Sequence, residues 1–497
     1  METIMGLGNM QLPRERETTI TITNNWAWCD NESAAALAAS VCIVHDPTAK
    51  YRARAHKRKH PKPEHWCRMC QALQSGRFGI EHLNDGNRWP SGLLPHVIGI
   101  LQQNGFSIHI DDRRRPPVAQ PRQLPAISWR AHQLEVLQAA RSAPRGQWEV
   151  PPSGGKTLLM LARWYETNTR GLILVPTRVI LRQFRQAAAK FFGIEVGYIG
   201  EGSWEIRELT IATAAQLWRY ADTPQYQELM QSIDFIGVDE AHHDAALSWY
   251  GITMSCPAYY RYLQSATLTR PDGRDLYLEA ATGPVLYKLP VASLVSEGQI
   301  ARPIFYIHKA PRPRVPWLPP KRAETEVEAF QFAYRENILY NDRRNALIAR
   351  LAVQEQQAGR PCLVLVQYIE HGELIMEALE QLGANAVLVT AKMRSKNIQE
   401  ILDRVRAGEA LIVVGSPVLG EGMDVPTFAS VIIAAGGKSN INTVQRVGRG
   451  LRPKEGDNTV YIHDFEDLPP FLHEHSHARF SEYKRMGGEI VWKTTGS

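Results

Sequence analysis

Short β-branched or aromatic runs separated by longer helix-periodic stretches organise most of this chain. Residues 18–29 carry the β-branched and aromatic side chains of a strand, and 32–45 pair an alanine-rich helix with a short Val-Cys-Ile-Val strand. An amphipathic helix follows at 93–103 and an alternating strand at 106–110, before a proline-rich stretch through Pro125 marks a boundary. Buried-strand signals at 147–150, 172–177, 209–213, 235–239 and 262–266 alternate with helices at 129–140, 157–165 and 178–188. This rhythm predicts a largely parallel sheet with ligand groups gathered at the carboxyl ends of its strands. Beyond a Pro-rich basic linker at 311–322, a second α/β rhythm begins. It has helices at 342–357, 371–382 and 397–406 and strands at 362–366, 386–389, 410–414 and 430–434. A short helix at 478–486 and an extended segment at 488–493 close the chain. The expected division is a small α/β unit at 1–120, a first large α/β domain at 121–310, the linker, and a second at 323–497 with a C-terminal extension.

Composition adds a partner class. The 497 residues are 44% hydrophobic and 22% charged, as in ordinary soluble proteins, with a net charge of +6 and a pI near 8.9. A basic balance favours a polyanion. Residues 50–62 hold seven Lys or Arg and no acid, so Lys57, Arg58 and Lys59 are candidate phosphate contacts. Six scattered cysteines make no disulfide scaffold, and no apolar run reaches membrane-spanning length. A soluble cytoplasmic protein, free of membranes, is the expectation. Cys67 and Cys70 form one Cys-x-x-Cys beside His60 and His65 without a second pair, and are read as plain thiols. The alternating His473, His475 and His477 lack an evident carboxylate or cysteine partner and are assigned to an exposed loop. No structural metal is predicted.

The chemistry concentrates at Val150-Pro-Pro-Ser-Gly-Gly-Lys156-Thr157, a glycine-rich turn running into a helical pattern. Backbone N–H groups and a helix N-terminus there can surround phosphates, Lys156 can reach the terminal ones, and the Thr157 hydroxyl can ligate magnesium. Val150 stands where the full pattern has its first glycine. The partner is Asp239-Glu240-Ala241-His242, which closes the mostly apolar run 233–238. Asp239 can hold magnesium, and Glu240 can orient or deprotonate a water. Together these motifs read as ATP hydrolysis. The second α/β domain has no such loop, but Arg446, Arg449 and Arg452 recur every third residue and 416–424 is glycine-rich, with Glu421 and Asp424. Arginines facing a γ-phosphate neutralise charge developing in transfer, so the two domains are expected to share a nucleotide cleft that closes with ATP.

In order and spacing, these motifs resemble those of superfamily 2 helicases over roughly residues 126–465. Arg130 and Gln133 resemble the adenine-side motif; Ser153, Gly154, Gly155, Lys156 and Thr157 resemble motif I, with Ser153 replacing a more usual glycine. Pro176, Thr177 and Thr213 resemble strand-end contacts to the nucleic-acid backbone, and residues 239–242 match the DEAH form of motif II. Ser265, Ala266 and Thr267 resemble the coupling motif, which His242 and Arg446 would support. Residues 364–368 lie where motif IV belongs. Residues 416–424 resemble motif V, with Gly422 and Asp424 on the ATP side, and 445–452 match motif VI, with Gln445, Arg449 and Arg452 in catalytic roles. The segment 294–303, and more weakly Gly76-Arg-Phe, residues 90–95 and Asp112-Arg-Arg, resemble the XPB/UvsW-like DNA helicases.

The resemblance implies two tandem RecA-like domains with parallel sheets behind a small α/β accessory domain. It further implies an ATP- and Mg2+-dependent motor that moves 3′ to 5′ on DNA and remodels forks, R-loops or Holliday junctions. A phage-encoded protein would do this in the host cytoplasm. RNA, alone or in a hybrid, is an alternative partner. A duplex translocase without strand separation is the rival enzyme, and a non-catalytic nucleic-acid scaffold the rival class.

Overall fold

A computed structural model describes residues 16–45, 80–200, 202–240, 246–266, 268, 275–314, 326–390, 393, 395–409, 411–415, 428–437, 459–468 and 471–493. Three sheets of four, eight and seven strands organise it, with a separate two-stranded pair at Ile43–His45 and Ile80–His82.

The four-stranded sheet orders Arg88–Pro90, Trp26–Cys29, Arg16–Ile22 and Phe106–Asp112, the last two parallel. The expected single strand at 18–29 is a hairpin turned at residues 23–25, where the Thr23 N–H donates to the Trp26 carbonyl at 2.7 Å. Helices Glu32–Ser40 and Leu94–Gln103 supply Ala34, Ala38, Val97 and Leu101 to a core with Ile20, Ile22, Ala27 and Trp89. Asn31 caps the first of these helices, its side chain accepting from the Ser33 and Ala34 amides.

The eight-stranded sheet runs Ser203–Glu205, Gly197–Gly200, Leu209–Thr213, Gly171–Val175, Phe235–Asp239, Tyr260–Ser265, Arg145–Glu149 and Val285–Lys288. All neighbours are parallel except the pair formed by the first two strands. The central strands Gly171–Val175, Leu209–Thr213 and Phe235–Asp239 are buried along their whole length, which is why they read as continuous apolar runs.

The accessory unit is locked onto this domain through buried cations. Arg261 is fully buried; its guanidinium donates to the carbonyls of Ala258, Thr253, Ala281 and Cys256 and to the Asn25 side chain. Arg145 donates to Ser91 Oγ at 2.5 Å and to the Asn24 carbonyl at 2.9 Å, while the Asn24 and Asn25 amides donate to Pro257 and Met254. Burial lowers the pKa of Arg261, to about 10, with carbonyl and amide oxygens meeting its donors. Gly92 lies so close to the helix Asp275–Thr282 that any Cβ would strike the Glu279 and Ala280 carbonyls.

The seven-stranded sheet is wholly parallel, ordered Ala386–Val389, Ile412–Gly415, Cys362–Leu365, Ser430–Ile433, Thr459–Glu466, Arg302–Lys309 and Glu489–Lys493. Strand Arg302–Lys309 lies before the expected linker yet pairs along its full length with Thr459–Glu466, so the chain passes between sheets between Lys288 and Arg302, ahead of residue 310. Its partner lies some 150 residues away in sequence, beyond the reach of a local pattern. The tail also differs from expectation: the histidines expected in a loop lie on helix Leu472–Arg485, two of them, His473 and His477, within reach of a carboxylate. That helix is pinned by buried Arg479, paired with Asp464 at 2.8 Å, and by the Tyr483 hydroxyl donating to Asp464 at 2.7 Å. Among the described residues, no helix is long and apolar enough to cross a membrane.

Candidate nucleotide site

Strand Arg145–Glu149 delivers the chain into the glycine-rich turn at the carboxyl edge of the eight-stranded sheet. Val150 is fully buried, its N–H donates to the Ser265 carbonyl at 2.9 Å, and a Cβ on Gly154 would come within 2.5 Å of its Cγ1. Val150 therefore packs as a core residue just past the strand, and the turn's freedom comes from the residues after it. Ser153 and Gly155 take left-handed conformations, φ 67° and 87°. For Ser153 this costs roughly 1–2 kcal/mol. Its carbonyl accepts from Arg130 Nη1 at 3.0 Å, which ties the turn to the preceding helix Ala131–Arg141. Gln133 accepts from the Arg130 N–H at 3.0 Å and lies so close to Gly155 that a Cβ there would meet its amide nitrogen. His132, which the motif reading passed over, is buried with Nε2 at 3.1 Å from the Gly154 carbonyl. Lys156 and Thr157 then open helix Lys156–Thr167.

The acidic pair arrives on the neighbouring strands. Asp239 is 4% exposed, and its Oδ1 accepts from Gln264 Nε2 at 2.8 Å. Gln264 Oε1 in turn accepts from Trp148 Nε1 at 3.1 Å. This relay from the P-loop strand to the acid was not read from the sequence; its signal is a glutamine inside a strand buried at every residue after Tyr260. Glu240 is left-handed, φ 51°, a conformation held by its N–H donating to the Gln264 carbonyl at 3.0 Å. Its Oε2 accepts from Ser265 Oγ at 3.0 Å and the Ala266 N–H at 3.5 Å, and its Oε1 pairs with Lys156 Nζ at 2.6 Å. Lys156 also donates to the Val150 carbonyl at 3.2 Å. One carboxylate thus joins the P-loop lysine to Ser265 and Ala266. Thr157 and Asp239 offer oxygen donors, which suits a hard cation such as magnesium.

Pro176, Thr177 and Thr213 follow or end neighbouring strands of the same sheet, on its carboxyl side. Thr177 Oγ1 accepts from the Ile180 N–H at 3.4 Å and caps helix Arg178–Ala187, whose Arg178 and Arg182 are exposed. Thr213 Oγ1 is buried without a hydrogen-bond partner among the described residues. His242, Thr267, Gly422, Asp424, Gln445, Arg446, Arg449, Arg452, Lys57, Arg58 and Lys59 lie outside the described residues.

Comparison with known proteins agrees with this geometry. Residues 126–270 match the family model described as type III restriction enzyme, res subunit, and residues 342–454 match the helicase conserved C-terminal domain. The chain is 30% identical over 354 residues to the DNA 3′-5′ helicase XPB of Kineococcus radiotolerans, covering 68% of this chain and 60% of that protein. It is 24% identical over 354 residues to the DNA 3′-5′ translocase XPB2 of Sulfurisphaera tokodaii, covering 66% and 80%. The first of these relatives is thus matched over less than two thirds of its length. A fragment of an HsdR subunit of a type I restriction enzyme from Vibrio vulnificus shares the fold, with a TM-score of 0.54 and 19% identity over 73% of this chain and 68% of that one.

Proposed function

We propose that this chain, which belongs to the superfamily 2 helicases and carries two RecA-like domains, is an ATP-driven DNA motor that moves 3′ to 5′ and remodels forked or branched DNA. The observation that carries the reading is the position of Glu240, paired with the P-loop lysine on one side and held by Ser265 and Ala266 on the other. A triphosphate entering the P-loop competes for Lys156 and releases the Glu240 carboxylate to orient a water. Freed from that pair, Glu240 passes the change to Ser265 and Ala266, at the end of the strand beside its own. Magnesium, held by Thr157 and Asp239, would neutralise phosphate charge. Arg449 and Arg452 are proposed to complete the cleft from the second domain, supported by Gln445 and Arg446, with Gly422 and Asp424 beside them.

DNA is proposed to track past Pro176, Thr177 and Thr213, with exposed Arg178 and Arg182 adding backbone contacts weakened by salt. The 3′ to 5′ direction is supported by the relatives' names. The preference for branched DNA is supported by the accessory unit, which Arg145 and Arg261 fix to the first motor domain as a second body able to brace a junction. The cytoplasm of the cell or host is the proposed location, supported by the phage helicases among the relatives. Translocation on duplex without strand separation is the second reading, favoured by the name of the Sulfurisphaera relative.

The test is magnesium-dependent ATP turnover at one fixed salt concentration, with no nucleic acid, single strands, duplex, forked DNA or RNA, and Glu240→Gln as control. Stimulation strongest with forks, lost in the control, is the expected outcome. Duplex stimulation without displacement of a forked strand selects the translocase. Stimulation by RNA alone, or by nothing, refutes the proposal.

A further inference from the structure

We propose that Glu466, His473 and His477 form a binding site for a divalent transition-metal ion of the zinc class, on the second α/β domain and separate from the nucleotide site. Strand Thr459–Glu466 ends at Glu466, and the chain returns as helix Leu472–Arg485, placing His473 and His477 one turn apart on a single face. His475, between them, faces elsewhere and packs on Phe330 with ring centres 5.2 Å apart. The alternation that looked like a loop pattern is thus sorted by the helix into two ligands and one packing residue.

Three ligand atoms converge. His477 Nε2 lies 3.1 Å from His473 Nε2 and 3.1 Å from Glu466 Oε1, and His473 Nε2 lies 3.5 Å from the same oxygen. Ligand atoms bound about 2.0–2.1 Å from a tetrahedral ion stand about 3.3 Å apart, so the observed triangle has the size of one face of such a shell. Hydrogen bonding accounts for it less well, because one Nε2–H serves only one of the two acceptors equidistant from His477. An ion in the triangle takes a lone pair from all three atoms, with each imidazole proton on Nδ1.

The scaffold beneath is rigid. Arg479 lies between Asp464 and Asp467 in the buried layer, and Ser476 Oγ accepts from the Asp467 N–H at 3.0 Å. These contacts fix the helix against the strand that carries Glu466, so an ion would cross-link two elements already held in register. The ligands themselves are accessible, with side-chain exposures of 45% and 48% for the histidines and 19% for Glu466. Two imidazoles and one carboxylate select a borderline ion over magnesium, and three protein ligands leave a coordination position for water.

The full chain, stripped with a chelator, is titrated with zinc by calorimetry and with cobalt by visible absorption. The expected result is a site whose zinc affinity falls by more than about tenfold in His473→Ala and His477→Ala, and also in the shape-conserving Glu466→Gln, since even outer-shell changes cost about that much. Affinity should persist in Cys67→Ser/Cys70→Ser, and bound cobalt should lack thiolate charge-transfer absorption. Circular dichroism of the metal-free variants, matching that of the metal-free wild type, separates lost binding from lost folding. Zinc affinity unchanged in the histidine variants, binding that follows the cysteines, or no zinc uptake by the wild type overturns the assignment.

Discussion

Replacing Glu240 with glutamine should make the protein bind nucleotide more tightly while destroying turnover. In the structure the Glu240 carboxylate and the Lys156 ammonium meet at 2.6 Å, with side-chain exposures of only 14% and 15%. Opposite unit charges about 4 Å apart attract by about 4 kcal/mol at an effective dielectric of about 20. Desolvation of the pair offsets much of that. With about 1.4 kcal/mol of the attraction left, drawing Lys156 away costs a triphosphate tenfold in affinity. Glutamine keeps the shape and the contact with Ser265 but removes the charge, so affinity for a non-hydrolysable ATP analogue should rise about tenfold. Loss of the base proposed at this position should lower turnover by about 10²–10⁴. Equilibrium titration of the analogue into both proteins, with magnesium, reads the first effect, and steady-state phosphate release reads the second. Unchanged or weaker binding by Glu240→Gln would refute the reasoning, because the ion pair would then not compete with nucleotide. Asp239→Asn is the contrast: it should weaken magnesium-dependent binding, since it removes a proposed magnesium ligand and leaves the Lys156 pair in place.

Two further outcomes follow from other residues. Gly155→Ala forces a side chain into a left-handed turn and into the Gln133 amide, so analogue binding should weaken by about tenfold or more. Adding Gln133→Ala should recover the steric share alone, and a double variant no better than the single would remove Gln133 from the explanation. In the second α/β domain, burial, then the neighbouring His463, lowers the His308 pKa from 6.5 to about 4. The unfolded chain therefore takes up this proton first as pH falls, and stability drops from about pH 6.5 down to about pH 4, by roughly 3 kcal/mol if the shift is fully expressed, with no further gain above pH 6.5. Urea midpoints followed across that window should lose this share of the slope in His308→Phe; an unaltered slope would mean that His308 is not its source.

What the sequence determined by itself was whatever is written within a few residues. The buried strands at 171–175, 209–213 and 235–239 announce themselves because both faces of a central parallel strand demand apolar side chains. The P-loop and the acidic pair are equally local, since a phosphate-binding turn and a strand-end carboxylate need their residues contiguous. Helix 342–357 matches its expected span because its asparagine cap and apolar face both lie in the segment itself. Tertiary structure decided what depends on distant neighbours. Strand Arg302–Lys309 belongs to the seven-stranded sheet because Thr459–Glu466 and Glu489–Lys493 offer it partners. Arg261 reads as one basic residue in a strand until Asn25 and four carbonyls enclose it. Gln264 becomes the brace for Asp239 only once the two strands lie in register. The three histidines of the tail, alike in sequence, are separated by a helix turn and by Glu466, a carboxylate that the chain's return brings beside them. Each of these outcomes rests on pairing across the sheet or on a chain reversal, and neither has a periodic signature in the residues taking part.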